Sequence, residues 1–176
     1  IFGQTVTVTL VGAGDTANCT HNNDEATAKL LGSSLRSLTP DGTMPPLSQA
    51  RVIALGDNAY FNGTRAQFAN CYDNYRLSDG TRYDSSRPAW WGQFKGRTMP
   101  TLGNHEYLNS TDPTLKSKPY FDYFGAQNGF KLPAAPVPST GLTKGKGYYG
   151  YNLGSWHIVA LNSNDYCAYV SCSSTS

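Results

Sequence analysis

Three short apolar runs along the chain share one pattern of hydrophobic and polar positions. Each run is rich in apolar or β-branched residues and stops at a glycine, which is followed by a side chain that carries an oxygen donor. Such runs predict short strands, because these residues favour the pleated conformation. The three predicted strands are residues 5–11 before Gly14-Asp15, residues 51–55 before Gly56-Asp57, and residues 98–102 before Gly103-Asn104.

Amphipathic patterns between these runs predict helices. Asn23 is placed to cap a helix over residues 24–38, and Thr64 is placed to cap another over residues 64–75. The alternation of strands and helices predicts βαβ units around a parallel sheet, in which the loops at the carboxyl ends of the strands form the ligand site. The residues expected to face the core are Leu30, Leu31, Leu35 and Leu38 in the first helix and Phe68, Cys71 and Tyr72 in the second.

The last part of the chain has a different pattern. Residues 148–152 and 156–162 predict two strands joined by a tight turn at residues 153–155, which is typical of a β-hairpin. Neither an internal repeat nor a change of composition divides the chain. We therefore expect one α/β domain over residues 1–176.

Composition and charge narrow the possible functions. The 14 Lys and Arg residues nearly balance the 12 Asp and Glu residues across 176 positions, which argues against a nucleic-acid-binding protein held by a basic face. No run of about 18 apolar residues occurs, so no membrane span is expected. The charged fraction of 15% is low, as befits a loop-rich secreted protein.

Four cysteines and three N-x-[ST] triplets indicate a secreted protein, extracellular or periplasmic. Cys167 and Cys172 lie five positions apart in a Ser-rich stretch, a spacing that suits a disulfide better than a zinc site. Cys19 and Cys71 then pair with each other or with something beyond the chain, and four free buried thiols are the alternative. The triplets that predict N-glycosylation begin at Asn18, Asn62 and Asn109.

The side chains that follow the three predicted strands favour metal chemistry. Asp15, Asp57 and Asn104 offer two carboxylates and a carboxamide, which are hard oxygen ligands for divalent or trivalent cations. Because neighbouring parallel strands end at one edge of a sheet, we expect these oxygens to converge. A pair of cations clamps the attacking and leaving oxygens of a phosphoryl displacement. His105, directly after Asn104, is placed to assist the leaving group.

The ordered set of motifs resembles the first three motifs of the calcineurin-like metallophosphoesterases. Many members of that family carry a histidine two residues after the first aspartate, where this chain has Ala17. The Gly-Asp-x-x-Tyr element is instead similar to that of the purple acid phosphatase branch. The resemblance implies an α/β fold, an αββα sandwich of two mixed sheets that is incomplete here at its C-terminal end. The matching motifs are Gly14-Asp15, Gly56-Asp57-Asn58-Ala59-Tyr60 and Gly103-Asn104-His105-Glu106.

The resemblance also implies a role for each matching residue. Asp15 and Tyr60 would bind the first metal, Asp57 would bridge, Asn104 would bind the second metal, and His105 would be catalytic. The cofactor would be two metal ions, iron paired with iron, zinc or manganese. The substrate would be a phosphate ester, hydrolysed as by an acid phosphatase. The alternative for Tyr60 is an aromatic ring that merely packs at a helix entrance.

The family completes its site with a further histidine and a Gly-His-x-His element, and the chain reaches Ser176 before either. His21 is interpreted as a loop residue and His157 as a core or sheet-face residue. We therefore expect a C-terminal half, lost or on a separate chain, to supply the remaining histidines, and we expect this chain alone to be inactive. Two alternatives stay open: a non-catalytic extracellular subunit that serves assembly, and an enzyme acting on phosphodiesters or nucleotides.

Overall fold

The computed structural model describes residues 7–21, 23–74, 86–111, 116–125 and 147–163, which form a mixed α/β structure. None of the helices in these ranges has the length and apolar character needed to cross a membrane. The strands are β1 (Thr9–Ala13), β2 (Ala17–Asn18), β3 (Ala50–Leu55), β4 (Ala59–Tyr60), β5 (Thr98–Thr101), β6 (Tyr149–Leu153) and β7 (Trp156–Ala160). The helices are α1 (Asn23–Arg36), α2 (Arg65–Gln67) and α3 (Lys118–Phe124), with a π-helical segment at Phe68–Tyr72 and 3₁₀ segments at Trp91–Arg97 and His105–Tyr107.

The central sheet is parallel and has the order β1-β3-β5, which confirms the sheet expected from the alternating pattern. β3 lies in the middle and is buried along most of its length, as is usual for a central parallel strand. The first strand covers Thr9–Ala13 rather than residues 5–11, the start of which lies outside the described residues. A side chain at Gly12 would overlap the Ile53 carbonyl of β3, so glycine permits the close pairing there.

Helix α1 buries a narrower apolar face than its leucines predict. Leu31 and Leu35 are buried as expected. The placement of Leu30 and Leu38 on the same face is wrong, since these side chains are 67% and 45% exposed. Leu30 lies about 100° around the helix from Leu31, and α1 ends at Arg36, before Leu38. Adjacent leucines therefore divide between the core and the solvent.

The second predicted helix begins at Thr64 as expected and then changes its geometry. Thr64 and Gln67 form a capping box, in which each side chain accepts a hydrogen bond from the other residue's backbone N–H. A single α-helical turn, Arg65–Gln67, leads into the π-helical segment Phe68–Tyr72, so the helical region is shorter than the predicted residues 64–75. The three predicted core residues of this region, Phe68, Cys71 and Tyr72, are all buried.

The predicted hairpin is confirmed as the antiparallel pair β6 and β7, joined by Gly154 and Ser155. Gly154 has a φ of +58°, which suits a tight two-residue turn. The hydroxyls of Tyr149 in β6 and Tyr120 in α3 both donate hydrogen bonds to the Pro100 carbonyl, at 2.7 and 3.0 Å. Because Pro100 belongs to β5, one carbonyl oxygen fastens both elements to the central sheet.

A disulfide joins Cys19, in the loop after β2, to Cys71 in the π-helical segment, and their Cα atoms lie 5.0 Å apart. This is the pairing that the sequence left open. The other predicted disulfide, between Cys167 and Cys172, lies outside the described residues.

A buried ion cluster lies beside this disulfide. The Arg87 guanidinium contacts the carboxylates of Asp24, at 2.6 Å, and Glu25, both in the first turn of α1. It also donates hydrogen bonds to the carbonyls of Asn70 and Cys71, at 3.1 and 2.7 Å. Burial, followed by a hydrogen bond with Glu25, raises the pKa of Asp24 to about 7. Two carboxylates facing one guanidinium carry a surplus negative charge, which a proton on Asp24 removes.

Candidate functional site

The carboxyl ends of β1, β3 and β5 meet at one edge of the central sheet and line a cleft of about 360 Å³. Asp15 follows β1, Asp57 follows β3 and Asn104 follows β5. The structure therefore brings together the oxygen-bearing side chains that the parallel topology was expected to align. The cleft is lined by Asp15, Leu55, Gly56, Asp57, Leu102, Gly103, Asn104 and Ser163.

Both cleft carboxylates lie on left-handed backbone, which is uncommon for residues other than glycine. The φ angle is +54° at Asp15 and +48° at Asp57. Such conformations cost on the order of 1 kcal/mol each and occur preferentially at functional sites. Hydrogen bonds between the loops hold them, since the N–H groups of Asp15 and Thr16 donate to the carbonyls of Gly56 and Asp57, both at 3.2 Å.

The glycines before the donors allow the loops to approach one another. A side chain at Gly103 would overlap Asp57. A Cβ at Gly56, where φ is +85°, would lie 2.9 Å from the Gly103 Cα, closer than real contacts allow. The Gly-Asp and Gly-Asn pairs of the sequence therefore have a packing reason as well as a conformational one.

Tyr60 enters the same site from β4, which pairs with β2 beside the cleft. Its hydroxyl donates a hydrogen bond to Asp15 Oδ1 and lies 3.2 Å from Asp57 Oδ2. Burial raises the pKa of the Tyr60 phenol, and the hydrogen bond to Asp15 and the charge of Asp57 raise it further. In this arrangement the phenol keeps its proton and shares it with the carboxylates. Three oxygen donors, one from the segment after β1 and two from the segment after β3, thus surround one small volume.

Asn104 and His105 reach the cleft from the loop after β5. The Asn104 side chain is exposed on the cleft and does not cap the short 3₁₀ segment that follows it. The His105 backbone N–H donates to Asp57 Oδ1 at 3.0 Å, and its ring lies 4.7 Å from the Tyr60 ring. The imidazole Nδ1 contacts the Phe61 carbonyl, which can only accept, so Nδ1 carries a proton. Nε2, 4.0 Å from Asp57 Oδ2, is the nitrogen left for proton exchange.

Glu106 is a fully buried carboxylate to which the sequence analysis assigned no role. Its Oε2 accepts the N–H groups of Asp57, at 3.0 Å, and Gly103, at 2.8 Å, while its Oε1 accepts the N–H of Asn58 at 2.6 Å. Burial raises the pKa of Glu106, and the hydrogen bonds from Gly103 and Asn58 oppose that shift. Its place in the Gly-Asn-His-Glu motif was the only sequence signal that marked it.

Asn58 is a second buried polar residue that the sequence analysis did not single out. Its side-chain Nδ2 donates to the Thr101 carbonyl of β5 at 2.9 Å. Its own carbonyl accepts the Thr16 hydroxyl at 2.9 Å, from the loop after β1. Asn58 therefore links the ends of the outer strands to the loop that carries Asp57, beside which it lies in the sequence.

The two remaining histidines lie apart from these contacts. His21 is exposed in the loop that precedes α1. His157 is exposed on β7, where its Nδ1 lies 2.7 Å from Asn152 Oδ1 across the hairpin. The expected sheet-face position of His157 is confirmed.

The three predicted glycosylation sites differ in their surroundings. Asn62 is exposed next to β4. Asn18 is half-buried, and its Oδ1 accepts the backbone N–H and the hydroxyl of Thr20, at 2.9 and 2.8 Å. Asn109 is also half-buried, and its Nδ2 donates to the Glu106 carbonyl at 2.7 Å. Asn62 is therefore the most accessible of the three.

The chain matches no protein-family model, no curated protein and no solved structure. Within the described ranges, no three His, Cys, Asp or Glu side chains form a group that could hold a metal ion. Of those residue types, Asp15 and Asp57 line the cleft and His105 lies beside Asp57, and the other candidate donors are the Tyr60 hydroxyl and the Asn104 amide.

Proposed function

We propose that this chain carries the oxygen-ligand part of a two-metal site that hydrolyses phosphate monoesters. The observation that carries the proposal is the meeting of Asp15, Asp57 and Tyr60 in one set of hydrogen bonds, beside Asn104 and His105. The order of these residues resembles the purple acid phosphatase branch of the calcineurin-like metallophosphoesterases. Under this proposal the parallel sheet and the hairpin belong to the two sheets of an αββα sandwich.

The donors at the cleft suit hard cations. Asp15, Asp57 and Tyr60 present oxygens that now share the phenol proton, and a cation at that position would displace the proton and neutralise the carboxylates. Asp15 and Tyr60 would hold the first ion, Asp57 would contact both ions, and Asn104 would hold the second. Iron fits the phenolate and carboxylate set, with iron, zinc or manganese as its partner. Bound ions would supply an activated water and would neutralise the phosphoryl oxygens.

His105 would serve the leaving group. The Phe61 carbonyl fixes the proton on Nδ1, so Nε2 is the atom that gives a proton to the departing ester oxygen when the imidazole is charged. Asp57 would orient the same residue through its hydrogen bond with the His105 backbone N–H. A change in the position of Asp57 would therefore alter both the proposed metal site and the placement of the His105 ring.

Four donors are too few for two such ions, and none of them is an imidazole. Iron and zinc sites ordinarily include imidazole ligands. Neither His21 nor His157 lines this cleft, and His157 instead contacts Asn152. We therefore propose that polypeptide outside these 176 residues supplies the missing histidines. The Cys19–Cys71 disulfide supports an extracellular or periplasmic location for the assembly.

The experiment that tests this function compares residues 1–176 produced alone with the protein isolated from its natural source. Both are assayed on a chromogenic phosphate monoester and a phosphodiester after addition of iron, zinc or manganese. We expect monoester turnover in the native protein, and none in the isolated chain. Turnover by the isolated chain that Asn104→Ala abolishes would show that further histidines are unnecessary.

A second candidate is a non-catalytic extracellular subunit, favoured by the small number of donors in the cleft. A native protein that binds no metal and hydrolyses neither ester would support it. Faster turnover of the diester than of the monoester would instead indicate a phosphodiesterase.

A further inference from the structure

Glu106 joins the loops after β3 and β5, which carry the candidate ligands Asp57 and Asn104. Its carboxylate accepts N–H groups from Asp57 and Asn58 after β3, and from Gly103 after β5, at distances of 2.6–3.0 Å. The residue is fully buried and its two oxygens are both used. The three donors are main-chain groups, so the contact constrains backbone conformation directly.

The surroundings of Glu106 leave little room for another arrangement. A Cβ at Gly63 would lie 2.9 Å from the Glu106 Cα, so the chain after β4 packs directly on its backbone. Asp57, one of the three donors, has the left-handed φ of +48°. A hydrogen bond from its N–H to a fixed buried carboxylate stabilises that unusual conformation. The direction of the Asp57 side chain follows from it.

We propose that Glu106 is a positioning residue, whose carboxylate fixes the loops after β3 and β5 so that Asp57 and Asn104 face the same cleft. The consequence of this positioning for cation binding rests on the proposed function, whereas the positioning of the two loops does not depend on it. Glu106 itself is buried behind the cleft and does not line it.

Glutamine is the substitution that separates this role from simple filling of space. Glu106→Gln keeps the shape of the side chain but replaces one acceptor oxygen with an NH₂ donor. That donor would face either the Asn58 N–H or the N–H groups of Asp57 and Gly103, leaving at least one buried N–H without an acceptor. Glu106→Asp keeps the charge but is one methylene too short to reach the same groups.

The first readout is amide hydrogen exchange in the native protein without added metal. We expect the N–H groups of Asp57, Asn58 and Gly103 to exchange slowly in the wild type and faster in Glu106→Gln. The Phe68 N–H, which donates to the Thr64 carbonyl, is the internal control and should not change. Rapid exchange of the three amides in the wild type would overturn the proposal, even if the variant failed to fold.

The second readout is Mn²⁺ affinity by calorimetric titration. We expect Glu106→Gln to weaken it about 10- to 100-fold, the usual effect of removing a partner that orients a ligand. Glu25→Gln is the matched control, a buried carboxylate outside the cleft, and should lower thermal stability without changing that affinity. Equal affinity in Glu106→Gln and wild type would overturn the proposal. A wild type that binds no Mn²⁺ would count against the proposed function, and the exchange experiment alone would then decide the role of Glu106.

Discussion

The Tyr60 hydroxyl donates a hydrogen bond to the Asp15 carboxylate across 45 residues of sequence. Asp15 lies in the loop between β1 and β2, Tyr60 ends β4, and Asp57 lies within 3.2 Å of the same phenol oxygen. Because carboxylate and phenol oxygens are ligands that hard cations prefer, the first metal ion of the proposed site would bind where these oxygens meet.

Replacing Tyr60 tests whether its phenolate binds iron, and the measurement is absorption of visible light. If the phenolate binds ferric iron, the iron-loaded native protein should absorb visible light through phenolate-to-iron charge transfer. We expect Tyr60→Phe to abolish that absorption band. Tyr151→Phe is the control, since Tyr151 is a buried tyrosine of β6 that is not among the residues lining the cleft, whereas the Tyr60 hydroxyl contacts Asp15 and Asp57. A colourless wild type with a full complement of iron would remove Tyr60 from the ligand set.

Replacing His105 tests its role through the leaving group. General acid catalysis contributes typically about 10²- to 10⁴-fold, so His105→Asn should lower kcat by that order for alkyl phosphates, whose alkoxides need a proton. The loss should be much smaller for 4-nitrophenyl phosphate, whose leaving group departs as an anion. His157→Asn should change neither rate. Equal losses on both substrates would assign His105 to binding or structure instead.

The convergence of Asp15, Asp57 and Asn104 could be predicted because it depends on local signals and one topological rule. Each residue follows a glycine at the end of an apolar run, and parallel strands end at one edge of a sheet. Tyr60 could be placed only through the resemblance, since its strand of two residues carries no periodic pattern.

Other features depend on tertiary contacts that no local pattern encodes. Leu30 and Leu31 are adjacent and equally apolar, and only the packing of α1 decides that Leu30 is exposed. Glu106 is an acidic residue in a short polar motif, and its burial follows from three backbone donors that the chain brings together from two loops. The partner of Cys19 could not be chosen by spacing alone.

The buried cluster around Arg87 predicts a dependence of stability on pH. The pKa of Asp24 is raised from its ordinary value of 3.8 to about 7 in the folded protein, chiefly by burial. The folded state therefore holds the proton more tightly than the unfolded state. This contribution is fully present below about pH 4 and is lost as the pH rises towards 7.

Urea unfolding between pH 4 and pH 8 checks this dependence. We expect the wild type to lose stability over that range relative to Asp24→Asn, in which the titrating group is absent. Asp122→Asn, at a partly exposed ion pair with Lys118, is the control and should follow the wild-type slope. An Asp24→Asn curve parallel to that of the wild type would contradict the assignment.

The Cys19–Cys71 disulfide should contribute substantially to stability. It closes a loop with a sequence separation of 52 residues, and a cross-link of that size stabilises a domain by about 2–4 kcal/mol. The double variant Cys19→Ala, Cys71→Ala should lose that amount in urea unfolding. The disulfide predicted from the sequence between Cys167 and Cys172 would close a far shorter loop, so the double variant Cys167→Ala, Cys172→Ala should lose less. Equal stability of wild type and the first variant would contradict this account.

The proposed pair of metal ions can be located by anomalous X-ray diffraction from crystals of the native protein, measured at the iron, manganese and zinc absorption edges. We expect two anomalous peaks in the cleft, both close to the Asp57 carboxylate. One peak should lie against Asp15 and Tyr60, and the other against Asn104. A cleft without either peak, in crystals whose protein is metal-loaded and active on a phosphate monoester, would contradict the proposed two-metal site.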